Sequence, residues 1–285
     1  MAKNKDILKS KTKYRSIWAD IIGVTATFVI FILPFYFVVV NAAKSTEDSF
    51  RLNMAWPKHW MLWHNMKKVV SDYHWHILKS TYNSFIITIF SVAALVIISG
   101  MTGFVIHRKR NRVSSVANVL VLTALVIPPA IVPTIWVLQK IHLYKTLIGM
   151  IAIEVAYGLA FAILIFRNFI ATIPKEIDEA AIVDGCTGWN LYFRIIFPLL
   201  KPVTITIGII ATAGIFNDFT NPLYYLPGED NATLQQTLFS YVSRYSTQYN
   251  YLFSDILYIT AFPLLAFIFF NKRIVAGMTA GSIKG

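Results

Sequence analysis

The chain has 285 residues, 56% of them hydrophobic and 14% charged, where a soluble domain carries roughly a quarter charged residues. Its net charge of +12 would point a soluble protein toward nucleic acid. Here the Lys and Arg gather in segments flanking long apolar runs, which argues against nucleic acid and for a membrane protein.

The N-terminal tail carries Lys3, Lys5, Lys9, Lys11, Lys13 and Arg15. Six apolar runs follow, at residues 21–40, 84–106, 116–138, 148–170, 203–219 and 253–270. Most approach the roughly 20 residues that cross a bilayer core as helix. Six spans leave no room for a soluble domain, so the reading is one membrane domain over 1–285, all-α, with six transmembrane helices. The first run opens at Asp20 and exceeds the usual length of a signal core. Val40-Asn41-Ala42 is a tolerable cleavage context. Five later spans need a sixth to keep both termini on one side, which favours an uncleaved anchor.

Between runs one and two lies a long loop with Trp56, Trp60, Trp63 and Trp75, which fit an interfacial aromatic belt. Met61–Val70 reads as a short surface helix. His59, His64, His74 and His76 raise a metal site, but no cysteine or clear carboxylate pair accompanies them, so interfacial packing is the favoured reading and no metal is expected. The loop between runs two and three holds Arg108, Lys109, Arg110 and Arg112. Run three contains Pro128, Pro129 and Pro133. Proline removes a donor and kinks a helix, so this run is expected to pack within protein or beside a cavity, or simply to kink to fit a bundle. Glu154 lies within run four, and Asn217, Asp218 and Asn221 end run five. These four are candidate lining for a hydrophilic solute. The plain alternatives are a hydrogen bond between helices for Glu154 and a span that ends at the Asn/Asp cluster.

Residues 171–202 separate runs four and five. Ile173, Ile177, Ala180 and Ala181 form one helical stripe. Pro174 suits a first turn, and Glu176, Asp178 and Glu179 favour the positive end of a helix. Gly185 fits the left-handed position after a helix end. Thr187 is placed to cap a second helix, Gly188–Ile196, stopping before Pro198. The segment therefore reads as helix, sharp turn, helix, with small residues that let another protein approach closely; an ordinary interfacial helix pair fits the same pattern.

Basic residues mark the cytoplasmic side. The tail, the 2–3 loop, the 171–202 segment with Lys175, Arg194 and Lys201, and the C-terminal Lys272, Arg273 and Lys284 all go there, whereas residues 221–251 hold only Arg244. Both termini are therefore expected in the cytoplasm. Six Lys/Arg in residues 41–83 run against this rule, but long loops translocate largely regardless of charge. The single cysteine, Cys186, excludes an internal disulfide and lies where thiols stay reduced. The chain lacks a Gly-x4-Gly-Lys-Ser/Thr phosphate loop and shows no catalytic Ser/His/Asp or Cys/His grouping, so no catalytic residue and no enzyme activity are expected.

Glu179-Ala180-Ala181, Gly185, Ile195, Phe197 and Pro198 follow the pattern Glu-Ala-Ala-x3-Gly-x9-Ile-x-Leu-Pro, with Phe197 in place of Leu. This resembles the cytoplasmic signature of permease subunits of binding-protein-dependent ABC importers. "PKHWMLWHNMKKVV" with "NSF" at 83–85, "FNDFTNPLYYL" and the tail "VAGMTAGSIKG" look like the maltose-type sugar permease subfamily, so the resemblance covers nearly the whole chain.

That resemblance implies the type I ABC importer permease fold, with a second homologous permease subunit as heterodimer partner. Two ATPase subunits hold the ATP and Mg, so this chain carries no cofactor. An extracytoplasmic binding protein delivers the carbohydrate substrate, with an oligosaccharide the first choice. It also implies that 171–202 is the coupling loop, with Glu179 as ionic anchor, Ala180 and Ala181 as close-contact surface, Gly185 as the turn, and Asp184, Ile195 and Pro198 within the motif. Gly277, Thr279, Gly281 and Lys284 belong to a tail reaching toward the ATPases. Gln248, Tyr249, Asn250 and Tyr251 match a last outer loop that probes the binding protein in some relatives; a surface loop merely touching that partner is the plain alternative. A non-sugar solute such as a glycerophosphodiester would use the same architecture, and an ion-driven secondary transporter is the reading from another class.

Overall fold

The computed structural model describes residues 17–71, 76–109, 111–242 and 247–280, with backbone alone for 270–280. Every regular element among them is helical, and they fall into two compact units.

The first unit comprises Met1–Asp72 and Leu238–Thr260. Helix α1 (Ile17–Ala42) crosses the first apolar run with its apolar stretch exposed among the described residues, as a lipid- or subunit-facing helix requires. A π-helical turn at Phe28–Ile32 interrupts it. Beyond its end the chain turns back through α2 (Thr46–Ser49), capped by the Ser45 hydroxyl, which accepts from the Asp48 amide. Helix α3 (Leu62–Ser71) answers to the expected short helix at Met61–Val70.

A buried polar knot holds these pieces. Lys44 Nζ donates to the Asn53 carbonyl at 2.7 Å, to Asn53 Oδ1 at 2.8 Å and to Asn41 Oδ1 at 3.0 Å. Asn65 Nδ2 donates to the carbonyls of Ala42 and Lys44, and Asn250 Nδ2 donates to Asn65 Oδ1. Burial pulls the Lys44 ammonium below the ordinary lysine range, and the charge of Asp48 works against that shift. The three donor bonds make the burial tolerable.

The second unit comprises Tyr73–Thr237 and Ala261–Gly285. Its frame is α4 (His76–Arg108) packed along α7 (Leu147–Ile170), with α10 (Lys201–Phe216) against both. The face α4 turns inward mixes Ile77, Ile87, Leu95 and Val96 with small residues, among them Ser91, Ser99, Gly100 and Gly103. A Cβ on Gly103 would stand 3.0 Å from the Arg167 backbone nitrogen, so the two helices approach as closely as glycine permits.

The third apolar run is not one helix. It forms α5 (Arg112–Val126) and α6 (Ile131–Lys140), with non-helical residues between them. Pro128 and Pro129 lack the donors that would continue the ladder, so the helix ends rather than kinks. Asn111 caps α5 by accepting from the Ser114 amide. The break is exposed in this chain. The fifth run also ends earlier than expected, at Phe216, with Asn217 as the C-cap. Two further elements, α11 (Thr220–Tyr225) and a 3-10 stretch at Leu234–Tyr241, lead into α12 (Tyr249–Ala280), which carries Pro263 inside it. Asn83 Nδ2 donates to the Ala232 carbonyl, and the Leu234 amide donates to the Ser84 hydroxyl. These two bonds tie the approach to the 3-10 stretch to α4.

Candidate coupling segment and polar sites

The segment between α7 and α10 is a helix, a turn and a second helix: α8 (Glu176–Val183) and α9 (Gly188–Leu199). Helix α8 starts after Pro174, which lies outside its first turn, and its N-cap Lys175 makes no side-chain cap bond. Gly185 and Gly188 adopt left-handed φ of +84° and +56°. Two glycines three residues apart thus reverse the chain where a side chain would be strained. Thr187 occupies the N-cap position of α9, but its hydroxyl makes no cap bond.

Helix α9 does not stop before Pro198. Its middle, Leu191–Ile196, is π-helical, and the Phe197 amide donates to the Tyr192 carbonyl. A short α turn, Phe197–Leu199, follows directly and carries Pro198 near its start, after a widened turn of the kind that accommodates a break in the ladder. The chain breaks at Leu200 instead and bends by 78° into α10, which has Pro202 near its start.

The motif residues divide between two faces. Glu179, Ala180, Asp184, Gly185 and Pro198 are exposed, and Ile195 is half-buried. Ala181 is 6% exposed and packs in the apolar cluster with Phe166, Ile170, Tyr192 and Ile196. The expectation that both alanines form a contact surface is therefore corrected. Neighbours on a helix point about 100° apart, so when Ala181 turns to the core, Ala180 turns away. Ile182, Val183, Trp189 and Phe193 are also exposed, and the last two rings stack with centroids 5.9 Å apart. Such a concentration of exposed large apolar side chains marks a surface that another molecule covers.

From below, the segment is held by residues the sequence reading did not single out. Arg108, at the last turn of α4, places Nε 2.6 Å from Asp178 Oδ2, and its Nη2 donates to the Ile173 carbonyl at 3.0 Å. Both side chains are about nine-tenths buried. Tyr192 sinks its ring beside Phe104 and its hydroxyl against Gly100. Arg167 donates to Asn118 Oδ1, tying α7 to α5. Spacing of charges along one helix cannot reveal partners 70 residues apart.

Toward the other end of α7, Glu154 is 7% exposed, with Asp218 and Asn221 standing against its carboxyl. Asn217 does not join them: it is exposed, and its side chain donates to the Ala213 carbonyl. Asp218 Oδ1 also accepts from the amides of Thr220 and Asn221, which starts α11. A cavity of about 190 Å³ opens beside Glu154, walled by Tyr157, Phe161, Leu95, Ile207 and Ile210. Tyr157 and Tyr225 share a hydroxyl–hydroxyl bond of 2.6 Å.

Tyr249, Asn250 and Tyr251 are not in a loop: they open α12. Asn250 is buried in the polar knot, Tyr249 packs edge-on against Phe50, and Tyr251 packs against Tyr241. Only Gln248 of the four is exposed. Gly277 and Thr279 continue α12 as backbone, while Gly281 and Lys284 lie outside the described residues, as does His74. Among the described residues, no three His, Cys, Asp or Glu side chains converge as a metal site would require.

Comparison with known proteins places this geometry. The chain is 29% identical over 259 residues to the probable starch degradation products transport system permease protein AmyC of Thermoanaerobacterium thermosulfurigenes, covering 90% of this chain and 93% of that protein. It is 26% identical over 259 residues to the melibiose/raffinose/stachyose import permease protein MelC of Bacillus subtilis, covering 89% and 91%. Among solved structures, a chain of a bacterial ABC transporter involved in the import of the acidic polysaccharide alginate superposes with a TM-score of 0.78 at 17% identity, over 92% of this chain and 97% of that one. Residues 96–276 match the family described as the inner membrane component of binding-protein-dependent transport systems. That stretch contains the helix–turn–helix segment and its Arg108 anchor, and the chain belongs to that family of inner-membrane transport components.

Proposed function

We propose that this chain is one permease subunit of an ATP-driven importer and forms half of the path for an oligosaccharide. The carbohydrate reading rests on relatives whose names specify starch products and melibiose, raffinose and stachyose. The chain crosses the membrane six times with both termini in the cytoplasm. A broken third crossing is formed by α5 and α6, and a fifth by α10. It pairs with a second, homologous permease. ATP and Mg are bound and hydrolysed in two partner ATPase subunits, and an extracytoplasmic binding protein presents the sugar.

One observation carries the coupling role: the α8–α9 segment presents Glu179, Ala180, Ile182, Val183 and Trp189 outward while its inner side is fixed to α4 and α7. Such a segment passes a push on its outer face to the spans without absorbing it, and rigid-body movement of packed helices is how domain closure elsewhere becomes alternating access. Asp218, Asn221 and Glu154 supply polar groups along the path. Exposed Gln248 is the residue of that group available to the binding protein.

The test is to tag the chain in its native cells, solubilise it mildly and identify what accompanies it. A second permease, an ATPase with a phosphate loop and a binding protein are expected. Uptake of labelled oligosaccharides against glycerophosphodiesters in vesicles, with and without ATP, then identifies the solute class. A chain that purifies alone and transports without ATP overturns the proposal.

A further inference from the structure

We propose that Arg108 is a positioning residue for coupling: by clamping Asp178 and the Ile173 carbonyl it sets the roll of α8, and so aims Glu179 outward. The inference rests on the coupling role proposed above for the segment.

Helix α8 has eight residues and no side-chain N-cap bond. A helix so short is marginal by itself, so its orientation must come from outside. Two inward points fix it. Asp178, in the first turn, meets the Arg108 guanidinium through Nε at 2.6 Å and Nη2 at 3.4 Å. Ala181, nearly one turn on, seats in the apolar cluster. Residues three apart on a helix share a face, so these two contacts define one line along α8, and Glu179 projects about 100° from Asp178 and about 160° from Ala181. Removing the Asp178 contact leaves the small Ala181 methyl and the half-buried Ile177 as inward points, apolar contacts without the direction of an ion pair.

The clamp also decides what α8 moves with. Arg108 lies in the last turn of α4. The same guanidinium holds the Ile173 carbonyl in the connection that leads from α7. One side chain therefore joins the end of α4, the exit from α7 and the coupling helix. The fork geometry of arginine makes this three-way contact possible, and a lysine ammonium cannot match it. The pair is shielded from water, so removing one partner strands a buried charge.

The test uses the complete transporter, purified with its partner subunits and reconstituted in proteoliposomes, with ATP hydrolysis and solute uptake measured on the same vesicles. Arg108→Ala and Asp178→Asn are expected to assemble with the ATPases and keep hydrolysing ATP, while uptake per ATP falls by about tenfold or more, within the span of typical coupling free energies between sites. Arg108→Lys should fall between wild type and Arg108→Ala. The exchange Arg108→Asp with Asp178→Arg should recover much of the ratio, which a general loss of folding would not allow.

Single variants that retain the wild-type ratio overturn the clamp. If the single variants fail to assemble, the exchange decides: recovered assembly and coupling support the clamp, and an exchange no better than the single variants overturns it. Wild-type vesicles that transport without ATP overturn instead the coupling role on which the clamp rests.

Discussion

The Tyr192 hydroxyl fills the space where a side chain on residue 100 would begin: a Cβ on Gly100 would lie 2.5 Å from that oxygen. The α8–α9 segment is thereby keyed into α4 at a position where any larger side chain must displace the Tyr192 ring. Gly100→Ala is expected to destabilise the protein by about 1–3 kcal/mol, as overpacking does, and to lower Tm in detergent. Tyr192→Phe removes the colliding oxygen, so the double variant should recover much of the loss. A double variant no more stable than Gly100→Ala would show that the collision lies elsewhere.

Gly185 gives a prediction of the opposite kind. Nothing lies within 4 Å of where its Cβ would be, yet its φ is +84°. The cost of Gly185→Ala is therefore conformational, about 1–2 kcal/mol, and Gly185→Asn should cost less because asparagine tolerates the left-handed region. Thermal unfolding of the two variants side by side checks the order.

Glu179 is exposed in this chain, so its replacement should leave the subunit folded and act on the partner contact. Glu179→Arg reverses the charge at the proposed ATPase surface. Breaking one side of a buried interfacial charge pair costs about 2–5 kcal/mol, so uptake should fall by more than tenfold while membrane insertion stays normal. Uptake in vesicles, with immunoblotting for the chain, reads both.

Asp218 and Asn217 adjoin in sequence but should not behave alike. Asp218 stands against Glu154 and starts α11, whereas the exposed Asn217 bonds its own helix. Asp218→Ala should lower both Tm and uptake. Asn217→Ala should stay within about 0.5 kcal/mol of wild type, as surface changes usually do. Equal effects in a transport assay would contradict the separation.

Much of the architecture is written locally and is therefore legible. Long apolar runs announce α1, α4, α7 and the first part of α12. The glycine at 185 announces a left-handed turn, and the acidic first turn announces α8. Continuity was harder to read. Three prolines in run three suggested a kink, but two adjacent prolines removed two successive donors and split the run. At Pro198 the opposite happened: a π-helical stretch placed proline at the start of a new turn, and the chain bent at Leu200. At the candidate site, motif spacing located the segment but not its inner support. Asp178 reads as one more acid beside Glu176 and Glu179, and only the packing of α4 shows that it faces Arg108. Asn250 reads as a loop residue because its partner Asn65 is far away in the chain.

The split between α5 and α6 also bears on what the chain can adjoin in a bilayer. Pro128 and Pro129 carry no N–H, so the carbonyls of Ala124 and Leu125 receive none of the donors that a continuous helix would supply. Hydrocarbon offers no replacement, and each stranded carbonyl there would cost about 2 kcal/mol or more. Acyl chains are thus a poor neighbour for this sector of the perimeter. A photoactivatable lipid probe should mark α1 heavily and leave residues 124–130 unlabelled, drawing the outline of whatever wet or proteinaceous seam runs past them.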